Sequence, residues 1–283
     1  MNSQFINRGQ VREKVALPRS EQYILFSKNE HRKYKIFVSW PAEAPSDSGY
    51  PVIYTLDANS VFSSFTESVR LQSRRPDLTG IAPAVVVGIG YDTEAPFDPS
   101  RHYDYTLPAQ NDELPPYPGE GTWPKQGGAE QFLSFIENEL KPQISNRFHI
   151  DQNRQILFGH SLGGLFVLNT LFSKPEAFQV YIAGSPSISW NERLLLEKEK
   201  TFFEKNTGNK LNIKLLIGVG ELEKDHPSLV NEKAKSLFHR LQALSNQGVM
   251  TEYIEFADEA HITVLLPLIN KAIKYSLTQK KEG

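Results

Sequence analysis

Among the 283 residues there is no cysteine, and there are only two methionines. Disulfides, thiolate metal sites and a cysteine nucleophile are therefore excluded. No apolar run approaches the roughly 20 residues that a membrane-spanning helix needs. The first residues, Met1 to Arg8, hold no apolar core of the kind a secretory leader carries. A surplus of one charge is missing too, because 31 Lys and Arg stand against 33 Asp and Glu, a net −2. Neither nucleic acid nor an anionic membrane has an electrostatic reason to bind such a chain. The expectation is a cytoplasmic protein without nucleic-acid or membrane partners, and with no metal or cofactor of its own. Apolar residues make up 39% of the chain, enough for the core of one large domain. No repeat, low-complexity run or linker divides it, so residues 1–283 are expected to form a single domain.

The apolar pattern changes character along the chain. Gln10 to Leu17, Glu21 to Ser27 and Lys33 to Trp40 alternate as half-buried strands and are separated by turn residues such as Pro18 and Asn29. Continuous apolar strands follow at Pro51–Leu56, Ala84–Gly90, Gln155–Phe158, Val180–Gly184, Ile213–Val219 and Met250–Phe256. Between them lie helical patterns at Phe62–Gln72, Gln131–Asn146, Glu192–Lys205, Asn231–Asn246 and Val264–Leu277. Antiparallel N-terminal strands leading into alternating strands and helices imply a mostly parallel central sheet with helices on both faces. Residues 92–128 break the pattern with many Pro, Gly and aromatic residues. A stretch this long inside a compact domain is expected to be a lid or substrate loop.

One short stretch carries the chemistry. Gly159-His160-Ser161-Leu162-Gly163-Gly164 reads G-x-S-x-G, with an apolar strand before it and the helical run Leu165 to Phe172 after it. Strand, sharp Gly-rich turn and helix make the setting of a nucleophile elbow. The tight turn is expected to exclude side chains at both Gly159 and Gly163. Ser161 then sits at the apex, and the helix that follows aims free N–H groups at developing negative charge. A serine hydroxyl needs a base, and the base needs an orienting acid. Of the seven histidines, only His261 follows the last strand at the mouth of the last helix. His102 and His226 lie in loops, His239 falls in an amphipathic helix, and His160 inside the elbow packs locally or contacts substrate. The acid is expected after the strand Ile213–Val219, where Glu221, Glu223 and Asp225 stand. Glu223 is the first choice, Asp225 the second and Glu221 the third. The oxyanion donors are expected to be the N–H of Leu162 and, from the loop after Val52–Leu56, that of Asn59.

These blocks resemble the putative-esterase branch of the α/β-hydrolases. The resemblance covers most of the chain, through Tyr50 to Asp57, Arg101 with Asp104-Tyr105-Thr106, the elbow, Gly184-Ser185-Pro186-Ser187 with Trp190, Gly218 to Glu223, and His261. The serine, Ser-Pro-Ser and Gly-Glu-Leu-Glu blocks are most similar to the siderophore trilactone esterases that cut ferri-bacillibactin, enterobactin or salmochelin. The resemblance implies an α/β-hydrolase fold, with Ser161 as nucleophile, His261 as base and Glu223 as acid. Ala58 departs from it, since many members carry glycine there. The implied partner is a small ester, here a siderophore that carries its own ferric iron. An anionic, aromatic substrate of that kind calls for cations and rings. Arg101, Trp190 and Tyr105 are the foremost candidates, with Tyr103, Trp123 and Lys125 near them in the sequence and Arg70, Arg74 and Arg75 as a second basic group. Other acyl esters (feruloyl, acetyl, S-formylglutathione) and a non-catalytic binding protein are the alternative readings.

Overall fold

The computed structural model describes residues 15–109, 114–117 and 120–279. Its strands are β1 Ser20–Phe26, β2 Lys33–Ser39, β3 Tyr50–Thr55, β4 Val85–Gly90, β5 Ile150–His160, β6 Val180–Gly184, β7 Ile213–Gly220 and β8 Val249–Phe256. They form one sheet in the order β1-β2-β4-β3-β5-β6-β7-β8. β1 and β2 pair antiparallel, β2 joins β4 antiparallel, and every pairing from β4 through β8 is parallel. The central parallel strands β3, β4 and β6 are buried on both faces because helices cover both. The helices are α1 Ala58–Gln72, α2 Pro76–Thr79, α3 Arg101–Tyr105, α4 Ala129–Phe135, α5 Lys141–Arg147, α6 Leu162–Ser173, α7 Glu192–Asn206, α8 Val230–Leu241 and α9 Leu265–Leu277.

Alternation along β3 and β4 divides the interior in two. Val52, Tyr54, Val85 and Val87 face a core built with α4, α6, α7 and α8. Ile53 and Val86 face a second core, filled by Val61 and Phe65 of α1 and by Leu268 and Ile273 of α9. This is the expected α/β-hydrolase arrangement. From β3 the chain crosses through α1 outward to β4, whereas from β5 it crosses through α6 in the opposite direction, to β6. Where the winding reverses, the loops after β3 and β5 part and leave a crevice at the carboxyl ends of the strands. Ser161 stands there.

Several boundaries differ from the expectation. Of the strand expected at Gln10–Leu17, residues 10–14 lie outside the described residues, and Val15 to Leu17 are not in a strand. The helix expected over Gln131–Asn146 is interrupted by a π turn at Ile136–Leu140. Pro142 is the cause, because it has no N–H to give and its ring crowds the carbonyl four residues back. The Lys141 N–H accordingly reaches back five residues, to the Ile136 carbonyl. The helix expected over Asn231–Asn246 runs instead from Val230 to Leu241 and tightens into a 3-10 turn over Gln242–Gln247, closed by Gly248 at φ 90°. Segment 92–128 contains an ordered helix, α3, and three of that helix's five residues, Arg101, Asp104 and Tyr105, are buried.

Candidate active site

Each side chain of the site arrives on the loop at the end of a different parallel strand. Ser161 follows β5, with φ 60° and ψ −119°, a strained backbone for a residue with a side chain. The chain can turn this sharply because Gly159 has no Cβ. A carbon there would lie 2.2 Å from the Gly163 carbonyl oxygen. Gly163 itself has ordinary room, since its nearest neighbour would be 3.5 Å away, so the expectation that both positions exclude side chains holds for Gly159 alone. The second crowded glycine is Gly164, where a Cβ would meet the Gly184 carbonyl at 2.7 Å. The Ser161 N–H donates to Gly184 O, and its carbonyl accepts from Leu165 and Ser187 N–H groups, which ties the elbow to both β6 and α6.

Glu223 closes a 3-10 turn after β7, and His261 lies in the turn between β8 and α9. The three groups form one chain. Ser161 Oγ is 3.0 Å from His261 Nε2, and His261 Nδ1 is 2.6 Å from Glu223 Oε2. A carboxylate can only accept, so Nδ1 carries the ring proton and Nε2 is left to accept from the serine hydroxyl. Glu223 is 4% exposed. Burial alone would raise its pKa, but hydrogen bonds from His261, Ser185 and Gly220 outweigh that and hold it below the ordinary Glu value. It stays ionised, as an orienter of imidazole must. The other two carboxylates considered do not compete. Asp225 is exposed, and Glu221 accepts from the Asp258 N–H instead.

The serine opens into a cavity of about 610 Å³. Its floor includes Ser161, Leu162 and Arg101, and one wall is aromatic, from His102, Trp123 and Trp190. Trp123 meets Trp190 edge-on at 4.5 Å, and the His102 ring lies 5.3 Å from Trp190. Pro115 and Pro116 extend this wall, while Ser187, Ser189, Ser228 and His226 form a more polar side. Thus segment 92–128 contributes much of the lining.

The remaining expectations fare unevenly. Trp190 lines the cavity as expected. Arg101 lines it too, but its guanidinium is a buried partner of Asp57, at 2.9 and 2.8 Å, and also reaches the His160 carbonyl. Its charge is thus already matched inside the protein. Tyr105 is a correction: at 1% exposure it lies beneath the cavity in the core, and its hydroxyl accepts from the Asp57 N–H. His160 is another correction, being buried with its ring 4.7 Å from the His261 ring, and it does not line the cavity. Burial, reinforced by His261, pushes the His160 pKa down to about 3, so the ring is neutral. Asn59 does not line the cavity either. Its side chain donates to the Tyr91 and Thr93 carbonyls and accepts from the Tyr91 N–H. Arg70 and Arg74 border a different, smaller cleft, Arg75 pairs with Asp77, and Lys125 lies over the Tyr103 ring, 4.3 Å from its centre. Sequence reasoning missed the wall contributed by His102 and the two serines, Ser185 and Ser187, that touch the ends of the relay. The Ser-Pro-Ser block placed directly after a buried strand was the signal that could have found the serines.

Comparison with known proteins agrees with this geometry. The family model described as "Putative esterase" matches residues 27–259. The chain is 50% identical over 261 residues to the ferri-bacillibactin esterase BesA of Bacillus subtilis (strain 168), covering 92% of this chain and 90% of that protein. It is 34% identical to a siderophore enterobactin esterase of Emericella nidulans, covering 86% and 88%. Among solved structures, the BES protein from Bacillus cereus superposes with a TM-score of 0.88 at 38% identity, over 96% of this chain and 100% of the other. A strand-turn-helix serine, a histidine in reach of it, and a matched stretch that spans most of the sheet lead to one conclusion: the chain belongs to the putative-esterase family and is a serine carboxylic-ester hydrolase.

Proposed function

We propose that the substrate is a catecholate siderophore trilactone of the bacillibactin or enterobactin type, whose ester bonds are hydrolysed in the cytoplasm to release iron. The observation that carries the reading is the Ser161–His261–Glu223 chain at the floor of an aromatic-walled cavity. The named activities of the relatives support it. In this reading Ser161 attacks the ester carbonyl as its proton passes to His261 Nε2. Glu223 holds the imidazole in the Nδ1–H tautomer and stabilises the imidazolium. The oxyanion is met by the Leu162 N–H, the first of α6, and by an N–H at the start of α1. There Asp57 and Ser60 already use their N–H groups, leaving those of Ala58 and Asn59. His261 then protonates the leaving alkoxide, and water, activated in turn by His261, releases the acyl group. Segment 92–128 acts as the substrate loop, placing Trp123 and the prolines, side by side with Trp190 on one wall, against an aromatic arm. Any iron enters as part of the substrate.

The test is hydrolysis of apo- and ferri-bacillibactin beside p-nitrophenyl acetate, by the wild type and by Ser161→Ala. Trilactone opening by the wild type, with at least a 1000-fold loss in the variant, is the expected result, on the order of what loss of a serine nucleophile costs. Cleavage of the small ester alone would remove the siderophore assignment and keep the serine. No cleavage of either ester, with binding retained, would leave a hydrolase-fold binding protein. The cytoplasmic assignment fails if fractionation recovers protein and activity outside the cell.

A further inference from the structure

The acid of the relay does not stand alone. Ser185, the first residue past β6, is 0% exposed. Its Oγ donates to Glu223 Oε1 at 2.5 Å, a short bond of the charge-assisted kind. The same carboxylate oxygen accepts the Gly220 N–H at 2.8 Å, while the other, Oε2, faces His261 Nδ1. Ser185 reaches this place by way of a strained backbone, φ 36°, in a region that residues with a side chain rarely adopt. Its N–H is fixed to the Gly218 carbonyl on β7. Strain of this sort persists only where the surroundings enforce it, and it gathers at functional sites. Two residues on, the Ser187 N–H holds the Ser161 carbonyl, and its hydroxyl lies 3.3 Å from that of Ser161. One loop thus grips both ends of the relay.

A Glu side chain has three rotatable bonds, and a carboxylate held at one oxygen by a single backbone N–H can still swing. Two donors converging on Oε1 leave Oε2 one direction to point. We propose that Ser185 is a positioning residue for ester hydrolysis, acting through Glu223 to hold its free oxygen on His261 Nδ1. The inference rests on Glu223 being the acid of the relay, as proposed above.

A double-mutant cycle tests it, with p-nitrophenyl acetate as substrate so that the outcome is independent of siderophore identity. The four proteins are wild type, Ser185→Ala, Glu223→Gln and the double variant. Loss of a hydrogen bond to a charged group is worth about tenfold, so Ser185→Ala is expected to lower kcat about tenfold with KM within about twofold of wild type. In the Glu223→Gln background the same change is expected to cost nothing, because its effect passes through the carboxylate. Ser185→Gly serves alongside: it relieves the backbone strain while removing the hydroxyl, so it should fold and still lose the same rate. A silent Ser185→Gly, or a loss that persists undiminished in the Glu223→Gln background, overturns the proposal. If Glu223→Gln itself keeps full activity, the assignment of the acid falls instead, a result that the single variants separate from failure of the Ser185 inference.

Discussion

Glu223 uses both carboxylate oxygens inside the protein, one for Ser185 and the Gly220 N–H, the other for His261. Those bonds outweigh burial and keep its pKa below the ordinary Glu value. The native state therefore binds that proton more weakly than the unfolded chain, and the linked stability has a definite sign. It is present in full above the unfolded pKa, around 4.3, and drains away as pH falls through the lower native value. Urea unfolding of wild type and Glu223→Gln should show the carboxylate's own contribution in full down to about pH 5. The wild type should then lose ground to the variant between about pH 5 and 3. A difference that stays flat or grows in acid would mean that the carboxylate is not held in the way its contacts indicate. At this scale the sequence was readable where chemistry demands a residue type at a strand end: Ser161, His261 and Glu223 are all of that kind. Tyr105 and His160 were misread because a motif locates a residue without telling which way its side chain faces. Arg101 was half read, since the partner that matches its charge, Asp57, lies 44 residues away.

The element with the most consequence for the cavity is the short helix α3. Five residues cannot form a stable helix alone, so tertiary contacts must hold it. Asp104, fully buried, accepts from Arg32 Nη2 at 3.0 Å, Tyr34 Oη at 3.0 Å and Tyr91 Oη at 2.8 Å. These bonds fasten α3 to β2, to the turn before it and to the end of β4, and so hold Arg101 and His102 at the cavity lining. Asp104→Ala would leave the buried Tyr34 and Tyr91 hydroxyls without their acceptor and the half-buried Arg32 guanidinium without its carboxylate. It should lower unfolding free energy by about 3 kcal/mol in chemical denaturation. kcat/KM should fall as well, although Asp104 touches neither substrate nor relay. A variant of wild-type stability would show that α3 is held by packing alone. Nothing in the sequence pattern marks this helix, because its order comes from Arg32, Tyr34 and Tyr91, outside the helix, rather than from its own periodicity. The long strands and α1, α6 and α9 were legible for the converse reason: their apolar patterns are written locally. The helix with Pro142 lies between these cases, since the proline is visible in the sequence but the chain absorbs it as a π turn without ending.

Across the whole molecule, the cavity joins two separately built halves. The reacting half comes from the parallel sheet, whose loops after β5, β7 and β8 bring together residues as far apart as Ser161 and His261. The aromatic half comes chiefly from segment 92–128, inserted after β4 and closed onto Trp190 from the loop after β6. The two halves can be uncoupled, because Trp123 touches the aromatic wall and not the relay. Its ring packs edge-on with Trp190 and Tyr117, and its indole N–H donates to the Pro115 carbonyl. Aromatic contacts of this kind are worth about 0.5–1.5 kcal/mol beyond the area they bury. For a substrate with aromatic arms, Trp123→Ala should therefore raise KM by about three- to tenfold and leave kcat near wild type. For p-nitrophenyl acetate, too small to need the wall, both constants should hold. Steady-state kinetics on bacillibactin and on the small ester, run with the same enzyme preparation, separate the possibilities. Equal losses on both substrates would mean that segment 92–128 supports the relay itself. A loss confined to the trilactone would mean that the sheet supplies the reaction and the inserted segment selects the substrate.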